Sequence, residues 1–454
     1  MSRTKDMTQG NPAKLILTFA FPLILTNVGQ QLYMIADAAI VGRGVGVKAL
    51  AAVGATDWSY WVILWTITTM TQGFATFVSR YYGEKNYEKL NKVVANSMVL
   101  SGIVALVVMA AGLLLTRPVL ELLKTPADIM EDAVRYLSTM IAGSLIVAGY
   151  NITASILRAL GDGRSPMIAM VIAAVLNIGL DIIAVFVFRW GVFGAALASV
   201  TSQLVAFLYC LDRIRKVDFI HLSKKAFMPD LPMMKELLAF GLPLALQYFV
   251  INVSGMILQS TVNLQGSIFV AGYTANNKLY GLLECSAISL NFSATTYFSQ
   301  NYGAKKMDRV RSGMRATVGI GIGMAVVIGG LMVVFGRQLL SLFIDGAEVD
   351  SGAALDIAYR YLVTMSLFMI VLYLIHVYRS ALQSLGSSIP SMISGFTECA
   401  ARVLVAKGLV VWVGVESLYF AEPAAWIGSL VYIMASYYVL RNRYIGGKNH
   451  ALQN

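Results

Sequence analysis

Twelve apolar runs follow one another along the chain, each near or above the roughly 20 residues that a membrane-spanning helix requires. They fall at about residues 15–41, 53–79, 93–116, 134–157, 167–188, 191–211, 237–261, 272–298, 316–336, 358–382, 389–413 and 424–440. This pattern predicts an all-α polytopic membrane protein with twelve transmembrane helices. The longest polar break, 212–236, is basic, ends with Pro229 and Pro232, and separates a six-helix N-lobe (1–211) from a six-helix C-lobe with a short tail (237–454).

The two halves repeat one another. Phe19-Ala-Phe-Pro22 answers to Phe240-Gly-Leu-Pro243. Ser79-Arg-Tyr-Tyr-Gly-Glu-Lys-Asn86 answers to Ser299-Gln-Asn-Tyr-Gly-Ala-Lys-Lys306, and Leu160-Gly161 with Pro166 answers to Leu385-Gly386 with Pro390. Six helices per half preserve topology, so the repeats are parallel and related about an axis along the membrane normal, as in secondary transporters whose substrate path lies between halves.

Composition agrees with a membrane assignment. Hydrophobic residues make up 57% of the 454 and charged residues 13%, against about 25% charged in soluble domains. The net charge of +11 does not point to nucleic acid, because the basic residues lie in short loops. With both termini cytoplasmic, Lys85, Lys89, Lys92, Arg213, Arg215, Lys216, Lys224, Lys225, Lys305, Lys306, Arg309 and Arg311 fall inside. Glu121, Asp128, Glu131, Asp132, Asp345, Glu348, Asp350, Glu416 and Glu422 fall in outer loops, as the positive-inside rule expects for a plasma-membrane protein. The first run is too long for a signal-peptide core and is expected to stay as an anchor. Cys210, Cys285 and Cys399 lie in apolar runs without metal-like or redox-like spacing and read as packing residues. No Walker lysine motif supports ATP-driven transport, and Gly42, Gly44 and Gly46 lack the strand context of a phosphate loop, so they read as turn residues.

Asp37 stands out in the first helix, with Asn27, Gln30 and Met34 on its face, where Met34 is expected to line an adaptable substrate cavity. A carboxylate at membrane depth costs several kcal/mol or more unless it meets protein or water, so it is read first as functional. It lies roughly 9 Å below the outer boundary. Asn177 and Asp181, at i and i+4 on the fifth helix, and Ser199 on the sixth reach similar depth, with Asp181 and Ser199 at roughly 12 Å. Two carboxylates, an amide and a hydroxyl suit a proton or a hard cation such as Na+ and do not choose between them. The pair is not duplicated in the second half. Leu258 stands where the repeat assigns Asp37, and the eleventh helix carries Arg402 and Lys407. Glu398 and Arg402, at i and i+4, read as a structural ion pair. Glu284 could neutralise a cationic substrate or serve the fold, and His376 reads as a core histidine.

These residues carry a family resemblance. The proline-kinked first helix ending Asp37-Ala-Ala-Ile-Val-Gly42, the turn Ala49-Leu-Ala-Ala52, Gly161-Asp162-Gly163 with Pro166, Asn177 followed by Asp181, and Gly194-Ala-Ala-Leu-Ala-Ser199 resemble the multidrug and toxic compound extrusion (MATE) family over essentially the whole chain. The resemblance implies two lobes in a V around a central cavity, and a monomer that exports small cationic amphipathic compounds in exchange for Na+ or H+ among membrane lipids, without other cofactors. Its cation site maps onto Asp37, Asn177 and Asp181, with Ser199 where threonine is usual; Gln30 and Asn151 resemble polar positions lining the drug cavity. The glutamate that one bacterial branch carries after the seventh-helix proline is absent from Pro243 to Asn252, which makes the chain look more like the branch of DNA-damage-inducible protein F. The expected mechanism is antiport, with cation binding at Asp37 and Asp181 disfavouring the drug-bound state. A flippase for lipid-linked saccharides is the rival reading, although such proteins often have fourteen helices and a basic cavity. A membrane-embedded hydrolase would need a nucleophile and base or metal ligands at matching depth and finds little support, since His221 and His450 lie in polar segments and only His376 lies in a span.

Overall fold

A computed structural model describes residues 4–223, 226–344 and 351–444; Arg3, Lys224, Lys225, Asp345, Glu348, Asp350, His450 and the C-terminal tail lie outside them. Helices are the only regular elements among the described residues. In the first half they are α1 (Pro12–Gly44), α2 (Val47–Glu84), α3 (Tyr87–Leu122), α4 (Met130–Ala142), α5 (Ser144–Ala159), α6 (Arg164–Ile182) and α7 (Gly191–Arg215). The second half holds α8 (Leu231–Asn263), α9 (Ser267–Gly303), α10 (Met307–Leu340), α11 (Ser351–Leu367), α12 (Met369–Ser384), α13 (Ile389–Val403), α14 (Val410–Val413) and α15 (Ala421–Tyr444).

Seven helices are individually long and apolar enough to cross a membrane, and the bent pairs α4–α5 (45°) and α11–α12 (49°) bring the number to nine. The more polar α2 and α9, of 38 and 37 residues, and the rod from α13 through α14 complete twelve span-length rods among the described residues. Their outer faces carry Leu114, Val175, Val187, Val327, Val334 and Trp412, all exposed. Apolar side chains so placed belong against lipid, where a closed helical backbone satisfies its own polar groups.

The sequence repeat is written into the backbone. Left-handed residues close corresponding turns at Gly46 and Gly266, at Lys85 and Lys305, and at Gly161 and Gly386. The fourth span of each half is the bent pair. The fifth opens into a π-helical stretch, Ile183–Val187 after α6 and Leu404–Leu409 after α13. Each stretch begins two residues beyond a buried ionisable side chain, Asp181 in one half and Arg402 in the other. Such one-turn widenings shift the register of the side chains that follow and occur often at functional sites.

Two compact units result: residues 4–7 with 21–245, and 8–20 with 246–444. Helix α1 therefore begins in the second unit and continues in the first, and α8 does the reverse. In the first unit the core runs from Phe74, Val78 and Val93 to Leu157 and closes on Leu237, Phe240 and Leu244 of α8; Phe77 meets Phe240 edge-on at 5.3 Å between centroids. In the second, Tyr361 packs edge-on against Tyr273 and Tyr419 at 5.3 and 5.2 Å. The start of α1 and the residues just before it are held there by polar contacts, Ser293 Oγ donating to the Ile16 carbonyl at 2.8 Å and Lys306 Nζ to the Thr8 carbonyl at 2.9 Å. Pro22 lies just beyond this segment. Its ring removes one backbone donor, and the Thr26 hydroxyl in turn donates to the Pro22 carbonyl at 2.8 Å.

Candidate functional site

The first unit brings three helices together around acidic and amide groups. Gly44 at the end of α1 abuts Val185 and Phe186 beyond α6, and Gly191 at the start of α7 approaches Val45. The end of α1 thus meets the end of α6 and the beginning of α7. From that end inward, Asp37 comes one turn before the end of the α1 apolar stretch, Asp181 and Asn177 share a face of α6, and Ser199 lies two turns into α7. Asp37 and Asp181 face each other directly. Asp37 is 7% exposed and Asp181 is fully buried. The Asn177 amide donates to Ser199 Oγ at 3.2 Å, which ties α6 to α7 and turns the Asn177 carbonyl free.

What is missing around this pair is informative. Among the described residues neither acid makes an ion pair, and Asp37 Oδ1, both Asp181 oxygens and Asn177 Oδ1 are buried without a hydrogen-bond donor. Two unit charges about 4 Å apart at an effective dielectric near 20 repel by roughly 4 kcal/mol. The cluster is therefore an oxygen-rich, electron-rich set that calls for positive compensation, supplied by a shared proton or by a hard cation bound through oxygens.

Several contributors escaped the sequence reading. Asp57 on α2 is a third carboxylate in electrostatic range of Asp37, and Tyr33 and Tyr136 flank the pair. Gln203, one turn beyond Ser199, lies beside Tyr33. The signal was present as spacing, since Tyr33 precedes Asp37 by four residues and Gln203 follows Ser199 by four. Tyrosines and glutamines, however, are common packing and hydrogen-bonding residues in membrane helices. Of the expected cavity residues, Gln30 and Met34 are half-exposed on the α1 face. Asn151 accepts from Thr68 Oγ1 at 3.2 Å and donates to the Val147 carbonyl at 2.9 Å, so its polar groups link α5 to α2.

The second unit is built differently at matching places. Glu398 and Arg402 do form the expected pair, but within a longer buried chain. Arg379 of α12 donates to Glu398 Oε2 at 2.8 Å, Arg402 to Glu398 Oε1 at 3.2 Å, and Arg402 again to Glu422 Oε2 at 2.7 Å. Ser394 and Ser429 accept from Arg379 at 2.9 Å each. Glu422, assigned above to an outer loop, sits instead in the first turn of α15, where Arg402 reaches it. Two positive and two negative charges cancel. Glu284 stands near Glu398, Glu422 and Arg402, and Tyr280 is its hydrogen-bonding neighbour; it joins no ion pair among the described residues. His376 is buried against Asn291, with 3.4 Å between Nδ1 and the amide nitrogen.

The profile of the MatE family matches residues 22–183 and 243–406, one stretch in each half. The chain belongs to the MatE family. The two matched stretches contain, respectively, the Asp37–Asp181 pair and the Glu398–Arg402 pair. Among MatE relatives, the probable multidrug resistance protein YpnP of Bacillus subtilis is 30% identical over 343 residues, covering 75% of this chain and 76% of that one. The probable multidrug resistance protein YoeA of the same organism is 27% identical over 434 residues and covers 92% of each. A crystal structure of MATE in complex with MaL6 has a TM-score of 0.89 at 22% identity, covering 98% of this chain and 99% of that chain, which establishes the shared fold. A MatE protein of this architecture is a multi-pass membrane transporter rather than an enzyme.

Proposed function

We propose that this MatE protein is a secondary active multidrug antiporter of the plasma membrane, with cytoplasmic termini, that exports cationic amphipathic compounds in exchange for Na+ or H+. The carrying observation is the contact between Asp37 and Asp181, buried and without a basic partner. The corresponding i, i+4 pair of the second half is already neutralised by protein, so the coupling cation is assigned to the first half. Asp37 and Asp181 bear the charge, and Asn177 and Ser199 complete the oxygen set. Uptake of a cation removes the repulsion within the pair and so favours whatever packing of α1, α6 and α7 holds the acids closest. Antiport follows when the drug prefers the other packing, because a ligand shifts an equilibrium only by its difference in affinity between states. Gln30, Met34 and Asn151 are assigned to the drug path beside this site, and Glu284 to a second contact with cationic substrate.

Dye efflux from proteoliposomes, with Na+ and proton gradients imposed separately, tests the assignment. Asp37→Asn should abolish efflux under whichever gradient drives the wild type while leaving the protein folded and able to bind dye. Wild-type efflux from this variant would refute the coupling role.

A further inference from the structure

Gln203 lies beside Tyr33 without touching either acid, and its placement is unusual for a residue of packing alone. Its Oε1 is shielded from solvent and accepts no fully formed hydrogen bond. The Tyr33 side chain lies within reach of it, and the same Tyr33 is in electrostatic range of both Asp37 and Asp181. The helices explain the coincidence. Because α1 and α7 run in opposite directions past α6, Tyr33, four residues before Asp37, and Gln203, four residues after Ser199, arrive at the same level. They sit one turn from the acids, on the side away from the Gly44 and Gly191 ends. A phenol has one proton to donate. Here it stands between two sets of acceptors, a pair of carboxylates and one amide oxygen.

We propose that Gln203 is a positioning residue of the coupling site, providing the acceptor to which the Tyr33 hydroxyl turns when Asp37 and Asp181 take up the transported cation. This rests on the coupling role assigned to the two acids. With the acids empty and ionised, the phenol donates to a carboxylate, the stronger acceptor. With the cation bound, the carboxylate oxygens are engaged and the phenol would be left as a partly buried donor without a partner. Gln203 Oε1 receives it instead, which stabilises the loaded state selectively. Leu or Met at this position keeps the volume and removes the acceptor.

The test is a double-mutant cycle on purified protein in liposomes, using ethidium efflux and titrating Na+ or H+, whichever drives the wild type. Gln203→Leu should raise the half-saturating concentration of the driving cation by about fivefold, the lower end of the effect of leaving a buried donor unpaired because Tyr33 is partly buried, without moving the half-saturating ethidium concentration. In a Tyr33→Phe background, where there is no hydroxyl to redirect, the same substitution should have no effect on cation half-saturation. Gln203→Met repeats the measurement should the leucine variant not fold. The proposal is overturned if cation half-saturation in the folded Gln203 variant equals that of wild type, or if the shift is the same size with and without the Tyr33 hydroxyl. Asp37→Asn separates the two levels. If that variant still couples efflux to the gradient, the coupling role itself has failed and this proposal falls with it; if it does not couple while the cycle is additive, only the role of Gln203 is lost.

Discussion

Replacing Arg402 with Met removes the hub of the second unit's charge chain. Arg402 donates to Glu398 at 3.2 Å, to Glu422 at 2.7 Å, to the Ile251 carbonyl at 3.3 Å and to the Ser254 hydroxyl, and its side chain is 4% exposed. Glu398 retains Arg379, whereas Glu422 loses the one cation that reaches it among the described residues. The balance among Arg379, Glu398, Glu422 and position 402 moves from zero to one excess negative charge. Breaking a buried pair from one side costs about 3–5 kcal/mol. For units of this size that corresponds to a fall in melting temperature on the order of 10 °C. A fluorescence melt in detergent reads it directly. Arg337 and Asp356 supply the internal comparison: they too are 2.7 Å apart, but both are more than half exposed, so Arg337→Met should cost less than about 1 kcal/mol. Pairing Arg402→Met with Glu422→Gln should recover part of the loss by restoring neutrality. If Arg402→Met melts within a degree of wild type, the chain is not buried in the sense argued and the contrast drawn between the two halves collapses.

Three further outcomes follow from other parts of the molecule. Ser199→Ala removes the acceptor of the Asn177 amide and is expected to cost about 1 kcal/mol of stability and to weaken the driving cation several-fold in the liposome assay, whereas unchanged cation titration would remove Ser199 from the site. Gly161→Ala places a Cβ against the backbone carbonyl of Lys5 at a residue with φ of 81°; the left-handed backbone alone costs about 1–2 kcal/mol, so melting should drop by several degrees, and no drop would mean that the N-terminal segment yields freely. Glu284→Gln should raise the half-saturating concentration of a cationic dye while leaving that of a neutral substrate in place, and equal shifts for both would make its role structural.

The rods and the repeat were legible because hydrophobic length and left-handed turn positions leave marks in a single sequence. Pro22 and Pro243, Gly161 and Gly386 pair in the sequence alone. The acid pair was legible as well, because a carboxylate in an apolar helix is costly wherever it points. Its neighbours were not. Tyr33 and Gln203 cost little at membrane depth, so nothing in composition separates a tyrosine that guards a carboxylate from one that fills a core. Arg379 and Glu422 were hidden for another reason: each sits near the end of an apolar run, where a charge is cheap to place at the interface. Only the packing of α12, α13 and α15 reveals that Arg379 is drawn to Glu398 and Glu422 to Arg402.

The reciprocal sharing of α1 and α8 bears on how the protein can be cut and reassembled. A fragment ending in the connection between Arg215 and Leu231 would carry the first unit without residues 231–245, and so without the Leu237, Phe240 and Leu244 that cover Phe74 and Phe77. The complementary fragment would lack residues 8–20, leaving Ser293 and Lys306 without the carbonyls of Ile16 and Thr8 that they hold. Neither product of such a split is a finished unit, although each contains six spans. Fragment complementation should therefore succeed only when both are made together in one membrane, and the half-length ancestor implied by the repeat would have needed a second copy of itself to close its own core.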